Sequence, residues 1–326
     1  MKSDELPQVL LPRKSTVMTL SEEEIFKSEK FGFLKAYESD LPLHQFLTTN
    51  SHKIQAIWSN LATPITADIL HLLPHLKLVV TTTAGLDFVD LAECRRRGVA
   101  VANAGTVYSE DVADMAVGLL IDVLRNISAA NRYVRQRLWP LKGEFPLASK
   151  LGGKRVGIVG LGSIGIEVAK RLEAFGCYIS YNSRKKKSNL PYTFYSDVCE
   201  LALNNDALVI CCALTDQTRH MINKQVLLAL GKKGVVVNVG RGAIIDEKEM
   251  VECLMRGEIG GAGLDVFENE PEVPKELFDL ENVVLSPHRA IFTPESLKIV
   301  CELAVKNLEA FFSDKPLLSP FIDDSY

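Results

Sequence analysis

Three stretches of the chain end in side chains suited to proton and hydride chemistry. Asn238-Val239-Gly240-Arg241-Gly242 closes one apolar run, Gly263-Leu264-Asp265-Val266-Phe267-Glu268-Asn269-Glu270-Pro271 closes the next, and Leu285-Ser286-Pro287-His288 closes the last. An Arg fork binds a carboxylate and polarises a ketone oxygen, and a His protonates the developing alkoxide. A carboxylate behind the His fixes its tautomer. Asp265 or Glu270 could be that carboxylate, and spacing alone does not choose between them. Together these types suit hydride transfer to a 2-oxo acid. Each alone has a plainer reading: His288 as a loop His, Arg241 as a surface cation, Glu270 as a turn residue before Pro271. The other His residues (His44, His52, His71, His75, His220) stand in undistinguished places.

Hydride chemistry needs a dinucleotide, and Gly160-Leu161-Gly162-Ser163-Ile164-Gly165 follows a predicted strand and opens a predicted helix. In that context Gly160 permits the tight turn, Gly162 lets pyrophosphate approach the backbone, and Gly165 lets helix pack on strand. Enzymes that use NAD usually place an acid at the end of the second strand, to accept from the ribose 2′-hydroxyl. This chain instead reads Tyr181-Asn182-Ser183-Arg184-Lys185-Lys186-Lys187 there, with no acid before Asp197. A hydroxyl and a guanidinium donate to a 2′-phosphate that a carboxylate would repel. The reading is NADP(H), preferred over NAD(H), with Ser183, Arg184 and Lys185 at the phosphate. The plainer alternative is a solvated basic loop, which suffices for Lys187.

The elements that must position these groups are legible as alternation. Short β-branched runs at Arg155–Val159, Cys177–Tyr181, Ala207–Cys212, Gly234–Val239, Ile259–Leu264 and Val283–Leu285 alternate with amphipathic stretches, and nearly all-apolar strands belong to a parallel sheet covered on both faces. A fainter version occupies the first hundred residues, with strands at Val9–Leu11, Ala56–Trp58, Leu78–Thr82 and Val99–Val101 and helices near Thr66–Leu73 and Phe88–Arg97. Ser109 to Leu138 predicts one long helix or two in series, Pro140 to Gly153 a connector, and Pro294 to Phe312 a last helix. The fold class is therefore α/β, two doubly wound parallel-sheet domains. A Rossmann nucleotide domain is predicted over 103–286, and a discontinuous, flavodoxin-like substrate domain over 1–102 and 287–326.

Composition narrows the partners. With 37 Lys and Arg against 41 Asp and Glu, the net charge of −4 gives no reason to expect a nucleic acid. The most apolar stretch, Ala113 to Leu124, is broken by Asp114 and Asp122, so no membrane span is expected. The chain starts and ends without a targeting signal, which places it in the cytosol (cytoplasmic). Its seven scattered Cys lack a C-x-x-C pair, so neither a structural metal nor a disulfide framework is expected, and Cys211 and Cys212 read as buried thiols.

With these motifs in hand, the chain resembles the D-isomer-specific 2-hydroxyacid dehydrogenases over nearly its whole length. More narrowly it is similar to the plant glyoxylate/hydroxypyruvate reductases and hydroxyphenylpyruvate reductases, through Gly153-Lys-Arg-Val-Gly-Ile-Val-Gly160, Tyr181-Asn-Ser183-Arg184, Gly260-Gly-Ala-Gly-Leu-Asp-Val-Phe267 and Lys315-Pro-Leu-Leu-Ser-Pro320. The resemblance implies a catalytic trio of Arg241, Glu270 and His288, with Glu270 paired to His288. It implies Asp265 on the nicotinamide carboxamide, and Val239 and Ala213 along the cofactor. It also implies that Ala84 and Gly85, in Thr83-Ala84-Gly85-Leu86-Asp87, receive the substrate carboxylate on backbone N–H groups, with Ser59 and Asn60 in a neighbouring loop. A homodimer built through the long helix and the connector bearing Trp139 is implied as well.

One departure is specific to this chain. After His288 the family commonly continues Val or Ile, Gly, Ser, then Gly or Ala, whereas here Arg289-Ala290-Ile291-Phe292 follows, and Phe292 could favour an aromatic or longer substrate. The expected activity is NADPH-dependent reduction of hydroxypyruvate or glyoxylate, with 4-hydroxyphenylpyruvate as the alternative. The rival of another class is a nucleotide-sensing binding protein on the same fold, like the dehydrogenase-like transcriptional corepressors.

Overall fold

The chain forms two separate parallel sheets, seen in a computed structural model that describes residues 6–14, 29–60 and 63–322. It divides into one unit made of residues 1–108 with 292–326 and another made of residues 109–291. The first contains β1 (Gln8–Leu11), β2 (Gly32–Lys35), α1 (Leu43–Asn50), β3 (Ile54–Ser59), α2 (Ala67–Leu72), β4 (Leu78–Thr81), α3 (Leu91–Arg96) and β5 (Ala100–Ala102). Its strands are parallel in the order β2-β1-β3-β4-β5, the flavodoxin arrangement. Ile54, Ile57 and Val79 are fully buried, as strands covered on both faces require. The sequence reading missed β2, an edge strand whose four residues are all half-buried, and so lacks the apolar run that marks the others. The helix Pro294–Phe311 returns the chain to this unit, capped by Thr293, whose hydroxyl accepts from the Ser296 N–H at 3.2 Å.

The second unit runs α4 (Ser109–Arg125), α5 (Ile127–Arg135), α6 (Trp139–Lys142), β6 (Arg155–Val159), α7 (Ser163–Ala174), β7 (Tyr178–Asn182), β8 (Thr193–Phe194), α8 (Val198–Leu203), β9 (Ala207–Ile210), α9 (Lys224–Leu230), β10 (Val235–Asn238), α10 (Glu247–Met255), β11 (Gly261–Leu264) and β12 (Val283–Leu285). The strand order β12-β11-β10-β9-β6-β7-β8 is the Rossmann order with one strand added at the far edge. Seven strands stand where the sequence suggested six, because β8 has only two residues and no apolar run. The alternative of two helices in series is the one found: Asn126, at φ 53, breaks the segment between α4 and α5. Helix α4 lies against β10, β11 and β12, while the short α6 occupies part of the expected connector.

The unit boundaries fall at 108/109 and 291/292 rather than at 102/103 and 286/287. Hydrogen bonds explain both displacements. Ala104 N–H donates to the Thr83 carbonyl at 2.9 Å and the Tyr108 hydroxyl to the Thr82 carbonyl at 2.7 Å, which keeps residues 103–108 with the first sheet. Asp265 takes the N–H groups of Arg289 and Ala290 at 2.8 and 3.0 Å, which keeps 287–291 with the second. Among the described residues no helix is long and apolar enough to cross a membrane.

Candidate active site

The carboxyl ends of β6, β7, β9, β10, β11 and β12 carry every candidate group of the second unit. After β6 the chain turns at Gly160, whose φ of 94 favours glycine and where a Cβ would lie 2.6 Å from the Cys212 backbone. A Cβ at Gly165 would lie 2.3 Å from the Gly160 carbonyl oxygen, so Gly165 is what lets α7 start this close to the strand. Gly162 has nothing within 4 Å of its Cβ position. The N-termini of α3, α8, α9 and α10 are satisfied by Asp90, Asp197, Asn223 and Asp246, whose side chains accept first-turn N–H groups. Gly162, the N-cap of α7, offers no side chain, so the first N–H groups of Ser163, Ile164 and Gly165 are left for an anion at the positive end of a helix. An open approach and uncapped donors fit a pyrophosphate.

At the end of β7 the buried Tyr181 accepts the Lys187 N–H on its hydroxyl at 2.8 Å and so closes the loop between them. Within that loop the Ser183 hydroxyl donates to the Lys185 carbonyl at 2.7 Å. The side chains of Arg184 and Lys185 are exposed and make no ion pair among the described residues. The loop thus presents unneutralised cations, Arg184 and Lys185 among them, that fit a phosphate, while the Ser183 hydroxyl gives its hydrogen to the Lys185 carbonyl. Val239, buried after β10, donates its N–H to Ile210, and the exposed Ala213 follows β9 and accepts from the Thr218 hydroxyl.

Glu270, not Asp265, lies against the imidazole: its Oε2 is 2.7 Å from His288 Nδ1. An ionised carboxylate only accepts, so Nδ1 carries the shared hydrogen and Nε2 is the atom left to give or take a proton. The other oxygen of Glu270 accepts the Phe267 N–H at 3.1 Å. His288 is held in the left-handed region at φ 51, with its N–H on the Asp265 carbonyl at 2.7 Å. Both Asp265 carboxylate oxygens accept from the backbone just after His288, so this acid braces the His288 turn, a role the motif did not announce.

Arg241 follows β10 in the same loop cluster, near enough for its charge to act on Glu270. The fully buried Asn238 folds its side chain over the turn, donating to the Arg241 carbonyl at 2.9 Å and accepting the Gly240 N–H at 3.0 Å. A Cβ at Gly242 would lie 1.9 Å from the Phe267 carbonyl carbon. Only glycine allows the turn bearing Arg241 to press against the turn bearing Glu270.

Burial pushes the Glu270 carboxyl up, but the hydrogen bonds from His288 and Phe267 and the charges of His288 and Arg241 outweigh it, leaving it below its ordinary 4.5. A depressed carboxyl contributes stability that is present above 4.5 and lost as pH falls through the lower folded value. The thermal midpoint of wild type is therefore expected to exceed that of Glu270→Gln at neutral pH, with the gap closing below pH 4.5. A gap that stays constant through acid would show that the charge on Glu270 does not stabilise the fold.

Two groups escaped the sequence reading. His220 makes a second His–Glu pair, with Nε2 2.7 Å from Glu268 Oε1. The buried Glu247 accepts the Glu268 N–H at 3.0 Å, and its carboxyl is raised by burial first and by the Glu268 and Glu270 charges after it. An Asp-Glu pair opening a helix reads as ordinary capping, so only the folded proximity shows this contact. Among the described residues no group of three or more His, Cys, Asp or Glu is placed to hold a metal ion.

In the first unit, Ala84 and Gly85 lie in the loop after β4, and neither N–H has a partner among the described residues. Ser59 is buried, its hydroxyl donates to the Thr63 carbonyl at 2.9 Å, and the neighbouring Asn60 is half-buried. Phe292 is half-buried just before the Thr293 cap.

Residues 117–290 match the family described as D-isomer specific 2-hydroxyacid dehydrogenase, NAD binding domain. The glyoxylate/hydroxypyruvate reductase HPR3 of Arabidopsis thaliana is 55% identical over 319 residues, 98% of each chain. The hydroxyphenylpyruvate reductase of Plectranthus scutellarioides is 49% identical, over 93% of this chain and 96% of its own. Among solved structures, the NADPH-dependent glyoxylate/hydroxypyruvate reductase of Sinorhizobium meliloti, in complex with NADP and malonate, aligns with a TM-score of 0.87 at 35% identity, covering 97% of this chain and 96% of that one.

Proposed function

The chain belongs to the D-isomer specific 2-hydroxyacid dehydrogenase family, and on that premise we propose that it is an NADPH-dependent reductase of small 2-oxo acids, hydroxypyruvate and glyoxylate first. The observation that carries the reading is the 2.7 Å contact of Glu270 with His288 in the loop cluster that also holds Arg241. When bound, the reduced nicotinamide supplies the hydride. His288 Nε2 delivers the proton to the oxygen that becomes the hydroxyl, and Glu270 holds the ring with Nδ1 protonated, so that Nε2 is the reactive nitrogen. Arg241 binds the carboxylate and draws electron density toward the ketone oxygen, favouring attack at its carbon. In the first unit, Ala84 and Gly85, with the loop of Ser59 and Asn60, offer N–H groups suited to a carboxylate. Asp265 braces the turn after His288 and keeps one lone pair on each oxygen for a carboxamide, while Val239 and Ala213 line the cofactor.

The cofactor preference rests on Ser183, Arg184 and Lys185. A charge-assisted hydrogen bond is worth roughly 1.5–3 kcal/mol, or about 10- to 100-fold in affinity. Arg184→Ala is therefore expected to weaken NADPH binding by about that factor and NADH binding hardly at all, measured by fluorescence titration of each. Equal weakening of both would make the basic loop irrelevant to the choice.

4-Hydroxyphenylpyruvate is the second substrate reading, supported by the Plectranthus relative and by Phe292 where the family carries small residues. The family resemblance extends the reading to a homodimer assembled through residues 109–153, in the cytosol.

A further inference from the structure

We propose that the C-terminal segment Leu318–Phe321, clipped by Asn307 and Ser319, is a positioning strap that acts through Asn103 to aim the Ala84 and Gly85 N–H groups at the substrate carboxylate. It rests on the reading that these two groups receive that carboxylate. A trans peptide is planar, so its C=O and N–H point in opposite directions, and fixing one fixes the other. The Thr83 carbonyl accepts the Ala104 N–H at 2.9 Å, which turns the Ala84 N–H away from residues 103 and 104. The Ala84 carbonyl accepts from Asn103 Nδ2 at 2.9 Å, which turns the Gly85 N–H away from the same segment. Successive carbonyls that converge on one segment leave successive N–H groups converging on the other side, the arrangement that binds anions. A third clamp, from the Thr83 hydroxyl to the Gly85 carbonyl at 2.8 Å, stops the loop from rotating as a whole.

Asn103 is held in turn from the far end of the chain. The Ser319 hydroxyl donates to the Asn103 carbonyl at 2.7 Å, and the Asn103 N–H donates to the Ser319 carbonyl at 3.2 Å. Ser319 is fixed by Asn307, a fully buried residue on the helix Pro294–Phe311. Asn307 Oδ1 accepts the N–H groups of Leu318 and Ser319 at 2.9 and 3.2 Å, and its Nδ2 donates to the Ser319 hydroxyl at 3.0 Å and to the Leu303 carbonyl at 2.8 Å. An antiparallel bridge between Ala102 and Pro320 and a bond from the Phe321 N–H to the Val101 carbonyl at 2.8 Å lay the strap along β5. A buried amide with every donor and acceptor used specifies one geometry, because any other leaves polar atoms unpaired.

The test separates carboxylate affinity from turnover in the full-length protein. Ser319→Ala and Asn103→Ala are each expected to raise KM for hydroxypyruvate about 3- to 10-fold, the worth of one or two net hydrogen bonds, with kcat, NADPH affinity and the KM of the methyl ester unchanged. Ser319→Thr, which keeps the hydroxyl, should restore the wild-type KM. Ala84→Pro deletes one of the aimed N–H groups and should raise the same KM. If Ala84→Pro raises KM while Ser319→Ala and Asn103→Ala do not, the carboxylate reading stands and the strap is overturned. If Ala84→Pro leaves KM unchanged, the carboxylate reading fails and the strap with it. Acid and ester losing affinity equally would reduce the strap to a merely structural element and overturn the proposal.

Discussion

His288→Ala is expected to lower kcat by about 10²- to 10⁴-fold while NADPH binds as tightly as to wild type, the span general-acid catalysis contributes. The nucleotide loop, Gly160 to Gly165, lies on β6 and α7, whereas His288 follows β12, so the substitution leaves the cofactor's phosphate donors in place. It removes the one ring nitrogen that the Glu270 contact leaves available for proton transfer. Glu270 would lose its 2.7 Å partner but keep the Phe267 N–H, so the turn bearing it should hold its shape. Single-turnover NADPH oxidation together with a cofactor titration checks both halves. Ordinary turnover in the variant would remove His288 from the reaction, and lost cofactor affinity would mean that the substitution disturbed the sheet instead.

Gly242→Ala is the second large effect, and it involves a residue that need touch no substrate. Its Cβ would lie 1.9 Å from the Phe267 carbonyl carbon and 2.3 Å from the Glu268 nitrogen, both backbone atoms that cannot swing aside. The turns bearing Arg241 and Glu270 must therefore separate by about an ångström or more, a misplacement of the kind that costs about 10²-fold in rate. We expect kcat/KM to fall by about that factor, stability to fall by about 1–3 kcal/mol from overpacking, and NADPH affinity to hold. Unchanged kcat/KM would show that Arg241 and Glu270 need not be held together.

The features visible in the sequence were those whose chemistry is local. The Gly160–Gly165 loop combines a turn and a helix start within six consecutive residues, and Arg241, Glu270 and His288 each follow an apolar strand. Spacing stopped short at the choice between Asp265 and Glu270, because which acid meets His288 depends on how the Phe267–Pro271 turn curls back. That curl is set by Gly242 and Glu247, from another loop and another helix. The edge strands β2 and β8 were invisible because β2 is half-buried throughout and β8 has only two residues, so neither carries an apolar run. The buried Asn307 and the half-buried Asn103 and Ser319 were unreadable for a third reason: a polar residue in a network reveals its role only through partners far away in the sequence, and Asn is ordinary in loops and on helices alike.

The most direct measurement is the rate of NADPH oxidation by the purified wild-type protein with hydroxypyruvate, glyoxylate and 4-hydroxyphenylpyruvate, with the product's configuration determined. Turnover of the two short acids with NADPH is expected well above that with NADH, with one D-2-hydroxy acid formed per NADPH consumed where the product is chiral. Tight NADPH binding with no turnover of any 2-oxo acid would contradict it and mark the chain as a nucleotide-sensing protein that keeps the catalytic residues without the reaction.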